Sequence, residues 1–264
     1  MGLARAFGSH GATLVTYLMA GYPDRETSLA AVRAAVAGGA GLIELGVPYG
    51  DPLADGPTIV EAAEVARAAE GGFGLAETLA LAAELTAEPG MPPIALMTYL
   101  NPMLRYGLPR LAADAAAAGI GGFIVPDLPP DNPMTKMWRA ASAPHDIDTV
   151  FLAAPTSTPE RMRTVAEASK GFVYLVSSTG VTGERSEVAA GLASLVERLR
   201  EWSGDLPVAV GFGVSTPQQA AEVAVLANGV IVGSAIVKRQ RDPEAVGAFV
   251  SELAAAVRTA ESGR

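Results

Sequence analysis

The chain alternates between short apolar runs and longer alanine-rich stretches, and the alternation repeats eight times. Each apolar run is nearly continuous, which is typical of a parallel strand that is covered on both faces. Parallel strands joined by helices imply right-handed crossovers, and eight such units in one domain-sized chain predict a (β/α)8 barrel. A doubly wound open sheet is the alternative. The predicted strands span residues 13–19, 42–46, 93–98, 122–126, 149–153, 172–177, 207–211 and 229–233.

Helical patterns fill the intervals between the predicted strands. They span residues 27–37, 58–69, 75–86, 108–118, 159–168, 187–202 and 216–226, and a further helix is expected to start after the last strand. No Gly/Ser-rich or Pro-rich linker divides the 264 residues, so we expect a single domain over residues 1–264.

Charge and composition disfavour several classes of function. With 28 acidic and 19 basic residues the formal net charge is −9, which argues against a protein that binds the phosphate backbone of nucleic acids. There is no cysteine, so disulfides, thiolate metal sites and cysteine nucleophiles are excluded. The first ten residues lack the apolar core of a signal peptide, and no apolar run is long enough to span a membrane. We therefore expect a cytoplasmic protein that binds neither nucleic acid nor membrane.

The lysines and histidines fall away from the expected active face. In a (β/α)8 barrel the catalytic groups lie at the carboxyl ends of the strands. Lys136 lies in a helical stretch, Lys170 before the sixth strand and Lys238 beyond the eighth. His10 and His145 both precede strands. A Schiff base, a histidine-ligated metal and a Ser-His-Asp triad are therefore disfavoured, and carboxylates and tyrosines remain for proton transfer.

Two carboxyl groups stand in the second strand and in the loop after it. Glu44 interrupts the apolar run, and a carboxyl group inside a barrel has a raised pKa that suits it to act as acid and base near neutrality. The alternative is a structural Glu paired with Arg. Asp55 lies in a loop rich in Asp, Pro and Gly, where a turn or a helix cap is the common role. Together with Glu44 it could place a second carboxylate over the same pocket.

Glycine-rich turns follow the last two strands. Gly211-Phe-Gly213 and Gly229-Val-Ile-Val-Gly233 would expose backbone amides to an anion, with Ser234 as an extra donor. The loops after strands seven and eight are the recurrent phosphate site of such barrels. Tight packing turns are the alternative.

The loop after the sixth strand is small, polar and punctuated by glycine. It spans residues 177–183 and could close over a ligand, with Thr182 and Gly183 as further donors to a phosphate. Nearby, Tyr174 and Phe212 either offer aromatic surface to a flat apolar substrate or fill the core.

These motifs, in this order, resemble the α subunits of tryptophan synthase. The most specific stretch is Glu44-Leu-Gly-Val-Pro-Tyr-Gly-Asp-Pro-Leu-Ala-Asp-Gly-Pro-Thr58. The resemblance extends over nearly the whole chain. The other matching segments are residues 17–24, 96–102, 125–129, 154–158, 178–183, 211–213 and 233–237.

The resemblance implies a (β/α)8 barrel that cleaves indole-3-glycerol phosphate to indole and glyceraldehyde 3-phosphate, a retro-aldol reaction. Glu44 and Asp55 match the two catalytic carboxylates, and Tyr174 matches a tyrosine beside the indole ring that we count with the catalytic site. Glu44 would protonate indole C3 and take the glycerol hydroxyl proton, while Asp55 would stabilise the ring nitrogen. The other matching positions are the phosphate site at Gly183, Gly213, Gly233 and Ser234 and the substrate pocket at Tyr17, Met97, Tyr99, Thr182 and Phe212.

The resemblance also implies a partner, and no cofactor or metal of this chain's own. Members of the family act with a β subunit in an α2β2 heterotetramer, and indole passes to that subunit through an internal tunnel. The loops after strands two and six meet the partner, to which the pyridoxal phosphate belongs. Two other functions stay open, namely a non-catalytic phosphate-binding barrel that only activates the β subunit and a sugar-phosphate isomerase. The presence of both carboxylates disfavours the first, and the second would need no indole-sized aromatic pocket.

The sequence departs from the family pattern at three places. Residues 131–138 lack the acidic helix start that is expected there, and the segment before the first strand is short for a full leading helix. Gly50 stands where serine is common. None of the motif residues lies in 131–138, and we do not expect the glycine to abolish activity.

Overall fold

The strands form one parallel sheet whose two ends lie on the same stretch of chain. The computed structural model describes residues 2–8, 11–176, 185–211 and 213–261, without the side chains of residues 185–190 and 261. The strands are β1 (Thr13–Met19), β2 (Leu42–Gly46), β3 (Ile94–Met97), β4 (Gly122–Ile124), β5 (Asp148–Val150), β6 (Leu152–Ala153), β7 (Val173–Val176), β8 (Val208–Gly211) and β9 (Gly229–Val232). Their order in the sheet is β5-β4-β3-β2-β1-β9-β8-β7-β6, and all neighbours pair in parallel.

Phe151 is the point at which the sheet closes into a barrel. It separates β5, which pairs with β4, from β6, which pairs with β7. Its amide bonds the Ser169 hydroxyl at 3.2 Å, while its carbonyl accepts from the amide of Tyr174 at 3.1 Å, so the ladder continues across the break. Residues 148–153 therefore occupy one of eight strand positions. The predicted (β/α)8 barrel is confirmed, and the open doubly wound sheet is wrong.

The helices between the strands agree with the predicted helical patterns to within about two residues at most ends. They are α1 (Arg25–Gly38), α2 (Pro57–Ala68), α3 (Leu75–Thr86), α4 (Leu100–Tyr106), α5 (Leu108–Ala117), α6 (Pro133–Ser142), α7 (Pro159–Ala168), α8 (Arg185–Ser203), α9 (Pro217–Ala224), α10 (Ser234–Val237) and α11 (Pro243–Glu261).

Three of these helices, α4, α6 and α11, have no counterpart among the helical ranges predicted from the sequence, although the sequence places Lys136 of α6 in a helical stretch. Asn101-Pro102 is typical of a turn, yet Pro102 lies in the first turn of α4, where the missing N–H breaks no helical hydrogen bond. Helix α11 packs closely on α1: a Cβ at Gly38 would lie 2.8 Å from the Gly247 carbonyl oxygen and 3.0 Å from the Val250 Cβ.

Two of the departures from the family pattern have simple structural outcomes. In residues 131–138, the side chain of Asn132 caps α6 by accepting from the Met134 amide at 2.9 Å, and Pro133 takes the first helical position. In the leading segment the described residues 2–8 form a single helical element, the 3-10 helix Leu3–Ala6, in agreement with the expectation from its shortness. Its Leu3 amide donates to Asp148 at 2.6 Å.

Inward-facing side chains fill the barrel, and α2 packs against this interior cluster. Ala62, Ala63 and Ala66 of α2 belong to the same buried cluster as the barrel interior, because alanine lets the helix approach closely. Among the described residues, no helix is long and apolar enough to cross a membrane. The members of this cluster that lie on strands, or directly beside one in the chain, are Val15, Tyr17, Met19, Leu42, Ala95, Met97, Ile124, Val150, Phe172, Tyr174, Ala209 and Ile231.

Candidate active site

A cavity of about 380 Å³ opens among the carboxyl ends of the strands. Most of the predicted site residues line it. These are Tyr17, Glu44, Asp55, Met97, Tyr174, Gly213, Gly233 and Ser234. Thr182, Gly183 and Phe212 lie outside the described residues. Tyr99 is not among the lining residues and lies against the loop that carries Asp55.

Glu44 reaches the cavity because it faces inward from the middle of β2. Its neighbours in register are Tyr17 on β1 and Ala95 on β3. The residue is only 1% exposed, and within the described part of the chain its Oε2 has no hydrogen-bond partner and its carboxyl no ion pair. Burial, and secondarily the charge of Asp55, raise its pKa to about 8. Glu44 is therefore a proton donor at neutral pH and has no arginine partner in the part of the chain described.

Asp55 faces the same cavity from the loop between β2 and α2. Its pKa is raised by burial, which is opposed by a hydrogen bond from Tyr99. It does not cap α2: the cap position is Gly56, and no side chain bonds the helix start there. The alternative role of Asp55 as a helix cap is therefore wrong, and its carboxyl group faces the cavity.

Tyr99 supports the loop that carries Asp55. The Ala54 amide donates to the Tyr99 hydroxyl oxygen at 3.2 Å, so the hydroxyl proton is left for the Asp55 carboxylate. The ring of Tyr49 packs on that of Tyr99 with centroids 5.3 Å apart, and Asn101 donates to the Tyr49 hydroxyl at 3.1 Å. The sequence predicts Tyr99 as a pocket residue; in the structure its hydroxyl group contacts the loop at Ala54 and lowers the pKa of Asp55.

The loop after β2 also contains Gly50, where serine is common in the family. A Cβ at this position would lie 2.6 Å from Nη1 of Arg67. The guanidinium of Arg67, from the end of α2, therefore occupies the space that a serine side chain would enter.

Tyr17, the neighbour of Glu44 in register, and Tyr174 on β7 line the same cavity with their hydroxyl groups protonated. The pKa of each is raised well above its usual range by burial first and then by the charges of the two carboxyl groups. Glycines make room for both hydroxyls. A Cβ at Gly46 would lie 2.1 Å from the Tyr17 hydroxyl oxygen, and one at Gly211 would lie 2.5 Å from that of Tyr174.

The far end of the cavity is built from glycine turns and cations. Gly213, with φ of +87°, and Gly233 lie where the chain leaves β8 and β9, and Ser234 follows. Lys238 and Arg239 also line this end. The expectation that no lysine lies at the barrel mouth is wrong for Lys238, which lines the cavity. The reason is that α10 is only one turn long, so Lys238 at its end is still close to Ser234 at its start.

The lining residues provide acid–base groups and an anion-compatible end in one cavity. Across the residues that the structure describes, no group of three or more His, Asp or Glu side chains could hold a metal ion. Fold and site together define a (β/α)8 barrel of the enzyme class, with a candidate active site at the carboxyl ends of its strands that two carboxyl groups line.

The family model described as tryptophan synthase alpha chain matches residues 3–262, and the chain belongs to this family. The alpha chain of Nocardia farcinica is 46% identical over 258 residues, which make up 97% of this chain and 94% of that one. The alpha chain of Solibacter usitatus is 51% identical over 225 residues, or 85% and 82% of the two chains. A structure of Mycobacterium tuberculosis tryptophan synthase superposes with a TM-score of 0.86 at 46% identity, covering 97% of this chain and 98% of that one.

Proposed function

We propose that this chain cleaves indole-3-glycerol phosphate to indole and glyceraldehyde 3-phosphate. The observation that carries the proposal is a single cavity lined by two carboxyl groups in different environments. Glu44 is buried without an ion pair among the described residues and holds a proton. Asp55 accepts a hydrogen bond from Tyr99, which favours its ionised form.

In this reaction the bond between indole C3 and the glycerol chain breaks after C3 is protonated. Glu44 delivers the proton to C3, which places positive charge on the ring nitrogen, and Asp55 stabilises that charge at the N–H. Glu44, now ionised, takes the proton of the glycerol hydroxyl. The electron pair of the breaking bond returns to the indole ring, the hydroxyl carbon becomes the aldehyde, and Glu44 is protonated again.

The aromatic and glycine residues have separate roles in this proposal. Tyr17, Tyr174 and Met97 hold the indole ring against the carboxyl groups. Gly213, Gly233 and Ser234, at the far end of the cavity, hold the phosphate. Binding of the phosphate positions the reacting bond against Glu44 and Asp55. Binding energy from a part of the substrate that does not react thereby contributes to lowering the activation barrier.

A β subunit is the proposed partner, and the pyridoxal phosphate belongs to it. The loop of Asp55 presents Leu53, which is 79% exposed, and the neighbouring α4 presents Leu104 at 44% exposure. Exposed leucines beside a catalytic loop support docking of a partner at this rim. The cytoplasmic location expected from the sequence stays a prediction.

Indole release by the purified chain tests the proposal. The chain is incubated with indole-3-glycerol phosphate, and indole is assayed with and without β subunit. We expect indole in both cases and a higher rate with the partner, which would order the loop of Asp55. Equal rates would refute the coupling. No indole under either condition would overturn the lyase proposal and favour the barrel that only binds a phosphate ligand.

A further inference from the structure

We propose that Lys238 supplies the positive charge that holds the substrate phosphate. This inference rests on the proposed function and adds a charged side chain to a phosphate site otherwise built from glycines and Ser234. It concerns a residue that sequence position alone places outside the barrel mouth.

The short helix α10 brings Lys238 and Ser234 together. The Lys238 amide donates to the Ser234 carbonyl oxygen at 3.0 Å, so the two residues are one helical turn apart. Residues at i and i+4 share a face, and helical side chains lean toward the N-terminus. The Lys238 side chain therefore runs back toward Ser234, and both residues line the cavity.

A phosphate bound beside Ser234 would need a cation next to it, because the carboxylate of Asp55 and the net charge of the whole chain are both negative. A phosphate monoester carries a charge of about −1.5 to −2 at neutral pH. The described lining residues include the acids Glu44 and Asp55, and the formal net charge of the whole chain is −9. A phosphate that enters this cavity without a cation beside it would be repelled by Asp55 and by the protein's overall field.

Arg239, the other cation in the described lining, is committed to the fold. Its Nη1 donates to the Ala235 carbonyl oxygen at 2.6 Å, and its guanidinium lies 3.9 Å from the centroid of the Phe249 ring. The ammonium group of Lys238, by contrast, has neither a hydrogen bond nor an ion pair with any residue that the structure describes. An ammonium group on a flexible stem beside Ser234 is thus available to a ligand.

Neutralising Lys238 tests the inference. Lys238→Gln is compared with Lys136→Gln, which removes the same charge from the exposed face of α6, and with Lys238→Arg, which keeps the charge. For Lys238→Gln we expect the KM for indole-3-glycerol phosphate to rise about tenfold, the size of one charge-assisted contact, with kcat nearly unchanged. The inhibition constants of inorganic phosphate and glycerol 3-phosphate rise by the same factor, and Lys238→Arg restores most of the affinity. Lys136→Gln behaves as wild type.

Calorimetric binding of glycerol 3-phosphate separates this inference from the lyase proposal, since it needs no turnover. Weaker binding to Lys238→Gln than to wild type supports the role of Lys238 even if no indole is formed. Equal binding to both, or no measurable binding to wild type, overturns it. An equal loss in Lys136→Gln also overturns it, because the effect would then follow net charge and not position.

Discussion

Glu44 and Asp55, from a strand and from the loop that follows it, line one cavity, and the charge of Asp55 adds to the burial that raises the pKa of Glu44 to about 8. Burial raises the pKa of both carboxyl groups, but Asp55 accepts a hydrogen bond from Tyr99 that opposes the shift, whereas Oε2 of Glu44 has no partner among the described residues. The proposed mechanism uses this difference, with Glu44 as the proton donor and Asp55 as the group that stabilises charge at the ring nitrogen.

Replacing Glu44 by Gln is expected to abolish most of the lyase activity. Glutamine keeps the size of the side chain but cannot transfer a proton, so indole formation falls at least about 100-fold. Affinity for glycerol 3-phosphate is expected to stay within about twofold of wild type, because the phosphate end is untouched. Glu197→Gln, on the exposed face of α8, is the matched control and keeps wild-type rates. Equal loss of catalysis and binding in Glu44→Gln would instead indicate misfolding.

The same variant changes how stability depends on pH. Glu44 has a pKa of about 8 in the folded chain and about 4.5 when unfolded. Between these two pH values the native chain holds a proton that the unfolded chain has released. The contribution of protonated Glu44 to the free energy of unfolding is therefore fully present below pH 4.5 and is lost as the pH rises through 8. Relative to Glu44→Gln, the free energy of unfolding of wild type falls by about 1.4 kcal/mol per pH unit over this window.

Urea unfolding of both proteins at pH 5, 6, 7 and 8 measures this difference. A constant difference between wild type and Glu44→Gln across the series would show that the Glu44 pKa is not raised by the fold.

Removing the Tyr99 hydroxyl is expected to move the acid limb of the pH–rate profile. The hydrogen bond from Tyr99 lowers the Asp55 pKa, so Tyr99→Phe raises that pKa. Activity that needs ionised Asp55 then disappears at a higher pH than in wild type, while the basic limb near 8, set by Glu44, changes little. Profiles of kcat/KM for indole formation measure both limbs.

Tyr106→Phe provides the control for this variant. It removes a hydroxyl that donates to Asp114 at 2.7 Å, and neither residue lines the cavity. Its profile should overlay that of wild type. An unchanged acid limb in Tyr99→Phe would remove Tyr99 from the positioning of Asp55.

Replacing Gln240 by Ala tests the connection between the first strand and the chain after the last one. The buried Gln240 side chain accepts from the Met19 amide at 2.9 Å and donates to the carbonyl oxygens of Met19 and Tyr22 at 2.6 and 2.9 Å. Alanine removes the partner of the Met19 amide and of the Tyr22 carbonyl and leaves the Met19 carbonyl with two longer bonds of 3.4 Å, from the Tyr22 amide and the Ser28 hydroxyl. We expect a loss of about 3 kcal/mol in the free energy of unfolding. The exposed Gln218→Ala should cost no more than about 0.5 kcal/mol by the same denaturant titration. Similar values for the two variants would contradict the role of Gln240.

Strand positions, most helices and the barrel could be predicted from the sequence because each depends on a local pattern. A strand buried on both faces must be apolar almost throughout. The ends of β1 and β2 could therefore be predicted from the ends of their apolar runs. Glu44 stands out for the same reason, since a carboxyl group in such a run is either paired with an arginine or used in chemistry. Helix α4 was not predicted because Asn101-Pro102 at its start is typical of a turn. In the structure this turn continues into a helix.

Some features depend on groups that meet only when the barrel closes. The sequence determined which residues can transfer protons, and it determined the eight-fold alternation that makes a barrel. Only the tertiary structure decided that Asp55 faces the cavity with Tyr99 behind it, 44 positions further along the chain. It alone decided that Lys238 lies at the cavity while Lys136 lies on the outside. The reason is physical: pKa values and contacts depend on distances through space and on burial, and closure of the sheet sets both, whereas sequence patterns report only the neighbours along the chain.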